Sequence, residues 1–267
     1  RFCPDWRKMQ VNPNIRLFAH QSGPIRFVTA TRLCLVRHGE TAWNAERRIQ
    51  GQLDVPLSST GHAQARATAN WLAQEDFAAI YSSDLSRALH TAEAVAHLLR
   101  LPIGQQVALR ERHYGVLQTL TYAEFEQRHP QAHARFLARE EAFALPGGGE
   151  SLLQFAARVN QCIDAIVAAH TGRQVLVVTH GGVLDVLHRR ASGKPLSLPR
   201  DFDIPNAGLN WLEIDRGRWS IVSWAERGHL AGQPVDLRNG RRLLLPDHRQ
   251  SILQQPCSLS RALALFA

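Results

Sequence analysis

Two histidines in this chain follow directly on short apolar runs and precede a glycine. Leu33-Cys34-Leu35-Val36 leads into Arg37-His38-Gly39-Glu40, and Val175-Leu176-Val177-Val178 leads into Thr179-His180-Gly181-Gly182. An imidazole at the carboxyl end of a parallel strand stands where open α/β sheets place their ligands. There it can serve as a nucleophile or as a proton carrier. Arg37 offers a planar fork of donors that suits phosphate, and Gly39 lets the backbone pass close to a bound group. On its own the Arg37-His38-Gly39 turn reads more readily as surface. The second strand-His-Gly junction shifts that balance, because two such ends in one sheet would bring both imidazoles to the same edge.

A third junction, Ser82-Ser83-Asp84-Leu85-Ser86-Arg87-Ala88, follows another strand-like run and puts Arg87 in the first turn of a helix. From there it can join the helix's free N–H groups in holding an anion, although a lone arginine at such a place is more often a solvated one. Glu111, between Arg110 and Arg112, reads from residue type alone as an ordinary surface carboxylate in a Glu-Arg pair. Metal binding is the rival use of several histidines, but His38, His113 and His180 show neither HxH nor HExxH spacing, so no metal is expected. Pro146-Gly147-Gly148-Gly149 has no strand before it and is not a dinucleotide loop.

Positioning these residues takes a sheet. From Leu33 onward, short apolar runs alternate with longer amphipathic ones, the pattern of βα units that build a mainly parallel sheet. Strands are expected at 33–36, 78–81, 105–110 and 174–178, with 208–214 and 218–225 as a hairpin around Arg216-Gly217. Helices are expected at 62–74, with Ala63, Ala67, Trp71 and Leu72 on one face, and from a cap at Ser83 or Asp84 to Leu99. Others cover most of 121–143, then 150–169, and 182–191 with a stop at Gly193. Residues 1–32 and 229–267 read as an N-terminal extension and a C-terminal tail around a domain at 33–228. Within the extension, 1–27 is expected to lie upstream of a natural start at Val28.

The formal charge of +8 would suggest nucleic acid or an anionic membrane as a partner. Its distribution argues otherwise. Residues 1–32 carry six Lys/Arg against one Asp, 226–267 carry six against three acids, and the stretch between holds nineteen of each sign. Neither flank interleaves its charge with aromatics, so no nucleic-acid partner is expected. No apolar run reaches the length of a membrane span. The four cysteines are scattered without a CxxC pair, as in a reducing compartment, and a cytoplasmic protein is expected.

The segment Leu35-Val36-Arg37-His38-Gly39-Glu40-Thr41-Ala42-Trp43-Asn44 resembles the signature of the histidine phosphatase superfamily, in the branch that includes cofactor-dependent phosphoglycerate mutases. The likeness continues through Gly51-Gln52-Leu53-Asp54 and Thr60-Gly61 to Ser82-Ser83-Asp84-Leu85 with Arg87-Ala88 and Thr91-Ala92. It then resumes at Leu109-Arg110-Glu111-Arg112-His113-Tyr114-Gly115, at Gly148-Gly149-Glu150-Ser151 and at Thr179-His180-Gly181-Gly182. It implies a three-layer α/β/α sandwich and a phosphohistidine mechanism without cofactor. His38 would be the nucleophile, Glu111 the general acid, and Arg37, Asn44, Arg87 and His180 the phosphate pocket. Gly51, Gly181, Arg112 and Tyr114 would complete the substrate site. The substrate would be a small phosphorylated metabolite, and a homodimer stays open.

A mutase and a phosphatase of this kind share the pocket and differ in whether the phosphoryl group returns to a bound product or goes to water. The family's mutases carry a lysine where this chain has Tyr122, and a paired arginine where it has only the separate Arg128, Arg135 and Arg139. Fewer cations hold a second phosphate or carboxylate less well, so hydrolysis is expected. The alternatives are a 2,3-bisphosphoglycerate-dependent phosphoglycerate mutase and, from another class, a non-catalytic phosphate-binding module.

Overall fold

The computed structural model of the chain describes residues 30–231. All but the last three residues of the expected extension, the tail from residue 232, Cys3 and Cys257 lie outside them. Six strands form one sheet: β1 (Thr31–Arg37), β2 (Ala79–Ser82), β3 (Ile103–Gln105), β4 (Gln174–Thr179), β5 (Leu209–Asp215) and β6 (Arg218–Glu226), in the order β3-β2-β4-β1-β5-β6. The first four run parallel, and β5 and β6 add an antiparallel edge. Among the described residues, seven α-helices accompany the sheet: α1 (Ala42–Ala45), α2 (Ser59–Leu72), α3 (Ser86–Leu99), α4 (Tyr122–Arg128), α5 (Pro130–Leu137), α6 (Leu152–Ala169) and α7 (Gly181–Ser192).

The strand alternation sorts the core into two faces. Leu33, Leu35, Val175 and Val177 pack on one side with Val159 and Ile163 of α6 and Val183 and Leu187 of α7. Cys34, Val36, Leu176 and Val178 face the other way, against Leu72 of α2 and Ala88, Ala92 and Val95 of α3. This is the expected three-layer sandwich, and it explains why β1 and β4 read as continuous apolar runs: both faces are covered. Each fully buried branched side chain contributes about 1.5–3 kcal/mol, which anchors the two strands that end in histidine.

Several boundaries differ from expectation. The third strand is Ile103–Gln105, and residues 107–109 form a 3₁₀ turn that drops Leu109 into the core. The polar stretch 121–143 is two short helices, because Pro130 lacks an amide to continue the first and begins the second. On α2 the buried face is Gly61, Gln64, Ala65, Thr68, Ala69 and Leu72, whereas Trp71 is exposed. Its polar members are satisfied, since Gln64 accepts from the Glu40 amide at 2.8 Å and Thr68 bonds His229 at 3.1 Å. Neither Ser83 nor Asp84 caps α3: its N-cap is Leu85, the Ser86 amide donates to Asp54 at 2.7 Å, and Asp84 pairs with Arg110.

One close approach ties α2 to the turn after β1. Gly39 and Gly61 meet backbone to backbone, and a Cβ on Gly61 would run into the Glu40 carbonyl oxygen. Gly61→Ala should therefore cost about 2–3 kcal/mol through overpacking against main chain that cannot yield. The chemical-denaturation midpoint reads this, and an unchanged midpoint would show that the turn is looser than described.

Candidate active site

The sheet register brings the two histidines together. β1 and β4 pair in parallel with Arg37 opposite Thr179, and the His38 amide donates to the Thr179 carbonyl at 2.9 Å. The imidazoles of His38 and His180 emerge side by side with ring centroids 5.2 Å apart, both buried. β2 lies on the other side of β4, so α3, which follows it, delivers Arg87 to the same edge. Arg87 is almost wholly buried and donates to the carbonyls of Leu53 and Gly51, each at 2.7 Å. Arg37 donates to the Ile204 carbonyl at 2.6 Å.

These contacts leave part of each cation unspent. Arg37 Nε, Arg87 Nε and both ring nitrogens of His180 are buried without a hydrogen-bond partner among the described residues. A buried polar group left so costs about 1–3 kcal/mol, more when charged. Folding would not collect four such groups at one strand edge unless an acceptor-rich ligand met them, and a tetrahedral oxyanion does so. Burial, then Glu111 and other neighbours, set the Arg87 guanidinium; burial dominates and lowers it to about 10, so it stays a cation at neutral pH.

Burial, then the charges of Arg87 and Arg37, hold the His38 imidazole well below its ordinary 6.5. Burial, then Arg87 and the neighbouring His38, do the same to His180. His38 Nδ1 lies 2.7 Å from the Gly39 carbonyl. A carbonyl only accepts, so Nδ1 carries the proton and Nε2 keeps its lone pair. That is the tautomer expected of a nucleophile, fixed by the kind of main-chain contact that the sequence could not locate.

Glu111 joins the group from the loop after β3. Its Oε2 accepts from the Gly182 amide at 2.9 Å and its Oε1 from the Arg112 amide at 2.8 Å. A Cβ on Gly181 would lie 3.6 Å from Arg37 Nε and 3.9 Å from Glu111 Oε2, so the carboxylate and the guanidinium flank the same point. The loop that bears it is clamped by Arg158, which donates to the carbonyls of Ala108, Arg110 and Glu111 while pairing with Glu150.

The remaining expected residues fall into two groups. Asn44 spends Oδ1 on the Thr41 amide and on Asn206 Nδ2, which ties it to the pocket through its neighbour. Gly51 supplies a carbonyl to Arg87 and, with φ +56° and Gln118 packed against it, leaves no room for a side chain. Arg112 is buried and donates to the Glu150 carbonyl at 2.9 and 2.7 Å, with Tyr114 alongside. Arg112, Tyr114 and Gly51 are therefore placed as framework around the pocket.

Three supporting residues escaped the sequence reading. Thr91 Oγ1 accepts from the Gly39 amide at 3.0 Å and donates to the Arg87 carbonyl at 2.7 Å, linking nucleophile turn to cation helix. Asn206 donates to the His38 carbonyl at 3.0 Å and sits next to Ala207, whose amide donates to the Arg37 carbonyl at 3.0 Å. Arg158 is the third. Thr91 stood inside a recognised motif, but nothing in the sequence announced Asn206 or Arg158, which act across 168 and about 50 residues of chain. Among the described residues no group of three or more His, Cys, Asp or Glu side chains comes together as a metal site. No described helix is long and apolar enough to cross a membrane.

Comparison with known proteins identifies the chain's relatives. A family model described as histidine phosphatase superfamily (branch 1) matches residues 33–227. A metal-independent phosphoserine phosphatase of Arabidopsis thaliana is 40% identical over 208 residues, covering 75% of this chain and 84% of the relative. Phosphoglycerate mutase-like protein 4 of the same plant is 38% identical over 206 residues, 76% of this chain and 88% of its own. Among solved structures, a mycobacterial glucosyl-3-phosphoglycerate phosphatase superposes with a TM-score of 0.67 at 35% identity, covering 74% of this chain and 100% of that one.

The imidazole state is directly measurable. At pH 6.5, where a free imidazole is half protonated, long-range proton–nitrogen NMR correlation on the ligand-free protein should show His38 neutral with its hydrogen on Nδ1. An imidazolium, or a hydrogen on Nε2, contradicts the assignment.

Proposed function

Since the chain belongs to the histidine phosphatase superfamily (branch 1), we propose that it hydrolyses phosphomonoesters of a small metabolite, without a metal, through phosphorylation of His38. The observation that carries this reading is the oriented, neutral imidazole: Nδ1 bonded to the Gly39 carbonyl, Nε2 free, and two guanidinium groups, Arg87 buried and Arg37 half-buried, within electrostatic reach. An imidazolium has no lone pair to give, so arginines that keep His38 neutral also keep it nucleophilic.

In this mechanism the phosphoryl oxygens take up the unspent donors of Arg37, Arg87 and His180, with Asn44 and Gly181 at their margin. His38 Nε2 attacks phosphorus in line and the P–O ester bond breaks. An ester entering as its monoanion brings one proton, and Glu111 relays it to the departing oxygen, since an alkoxide leaves poorly. Glu111, again a carboxylate, then takes a proton from a water that attacks phosphorus, and the P–N bond breaks to return His38 and phosphate. The cations balance charge on the equatorial oxygens throughout.

Hydrolysis is favoured over mutase chemistry by what the cations of the 115–149 segment do. Arg128 pairs with Glu124, Arg135 with Glu140 and Arg139 with Asp185, so each is already matched to a carboxylate. Exposed Tyr122 stands where the mutases have lysine. A catalytic domain at 33–228 in the cytoplasm completes the proposal, the latter supported by the unpaired thiols of Cys34 and Cys162.

Phosphate release from p-nitrophenyl phosphate should persist in a chelator and fall by about 10³-fold or more in His38→Ala. Glu111→Gln should slow alkyl phosphates by about 10²–10⁴-fold while barely touching p-nitrophenyl phosphate, whose leaving group needs little protonation. Equal slowing of both would remove Glu111 from the acid role. Rapid interconversion of 2- and 3-phosphoglycerate with 2,3-bisphosphoglycerate, without comparable hydrolysis, would favour the mutase.

A further inference from the structure

Asp185, four residues beyond Gly181 on α7, is buried among three arginines. Arg139 Nη2 lies 2.7 Å from Oδ2, Arg189 Nε 3.0 Å from Oδ2, and Arg200 Nε 3.0 Å from Oδ1. No other carboxylate among the described residues carries three arginine partners. One negative charge thus meets three positive ones, and the surplus is distributed unequally. Arg189, buried, also donates to the Pro195 carbonyl and Arg139, half-buried, to the Leu196 carbonyl, each at 2.6 Å. The Arg200 side chain is 44% exposed, and its two terminal nitrogens have no hydrogen-bond partner among the described residues. Asp185 holds its root while its fork stays available, which is how a protein presents a preorganised cation.

Arg200 also opens a segment that frames the site. It begins the stretch whose Ile204 carbonyl accepts from Arg37 and whose Asn206 donates to the His38 carbonyl. The charges of Glu111 and Arg200 both reach Arg37, Tyr114 and Tyr122, behind the larger effect of desolvation on each. The geometric link runs along α7: Asp185, which anchors Arg200, lies one turn beyond Gly181 and Gly182, and the Gly182 amide holds Glu111. Other nearby arginines are committed: Arg112 to the Glu150 carbonyl and Arg110 to Asp84.

We propose that Arg200 is the specificity-determining residue that binds a carboxylate on the leaving-group side of the substrate, so that the substrates are phosphomonoesters of small hydroxy acids and not of neutral alcohols. The proposal rests on the phosphomonoesterase reading above and sharpens it. It also revises the expectation that this chain holds a second anion poorly, because the cation comes from outside the 115–149 segment. A single fork matches one carboxylate, so the preference for hydrolysis now rests on the 115–149 arginines being matched, which leaves a second phosphate without a partner there.

The test uses substrate pairs that differ in the carboxylate: 3-phosphoglycerate against sn-glycerol 3-phosphate, and O-phosphoserine against O-phosphoethanolamine. The wild type should favour the carboxylated member by about tenfold or more in kcat/KM, Arg200→Ala should bring the ratio close to one through KM, and Arg200→Lys should recover part of it. A wild type with no such preference, an Arg200→Ala variant that keeps it, or one that slows both members equally overturns the proposal. Should p-nitrophenyl phosphate hydrolysis be absent or indifferent to His38→Ala, it is the phosphomonoesterase reading that has failed; His38-dependent hydrolysis with indifference to Arg200 sinks this inference alone.

Discussion

The parallel pairing of β1 with β4 is the constraint on which the site depends. With Arg37 opposite Thr179, both strands end level and both histidines leave the sheet at the same edge. A one-residue slip of either strand would exchange its two packed faces, in β1 sending Leu33 and Leu35 toward α2 and α3 and Cys34 and Val36 toward α6 and α7, where neither set fits. Hydrophobic burial in the middle of the sheet thus fixes the 5.2 Å spacing of two imidazoles at its end. The spacing of the imidazoles is inherited from the core, while Thr91, Asn206 and Arg158 hold the groups around them.

Placing two guanidinium groups and two imidazoles in one buried place is unfavourable by itself, and the fold offsets it in three ways. Main-chain carbonyls of Gly51, Leu53 and Ile204 take one or two donors from each arginine. Both histidines remain uncharged, so repulsion is confined to the arginine pair. Glu111 supplies the opposing charge and is itself held by the amides of Gly182 and Arg112. What stays unsatisfied is the set of donors that an oxyanion would meet, so affinity for the ligand is stored as incomplete hydrogen bonding in the free protein. Thr91 and Asn206 keep those donors in register by tying the His38 turn to α3 and to the strand-entry loop.

Much of this was readable from residue order. The apolar runs before His38 and His180, the Gly after each, and an arginine in the first turn after a third strand announced the edge of the sheet and the phosphate chemistry together. The glycine-stopped helix after His180 and the Arg216-Gly217 hairpin also stand as read. Expectations failed where tertiary contacts override local pattern. Trp71 looked like a core residue by helical spacing, yet α2 buries its smaller residues because Gly61 must approach the turn after β1. Asp84 looked like a cap and serves as Arg110's partner. Arg158, Asn206 and Arg200 have no local signature at all. Each acts through side-chain contacts between segments that only the folded sheet brings together.

The central claim is that His38 Nε2 becomes bonded to phosphorus during turnover. Rapid acid-free quenching of a single turnover, followed by peptide mass spectrometry and phosphorus NMR, tests it most directly. The account predicts a transient, acid-labile phosphoramidate on the Nε2 atom of His38, formed and lost at rates that match substrate consumption. A phosphoryl group trapped on His180 or elsewhere, or hydrolysis proceeding with no phosphoenzyme and with inverted stereochemistry at phosphorus, would contradict it.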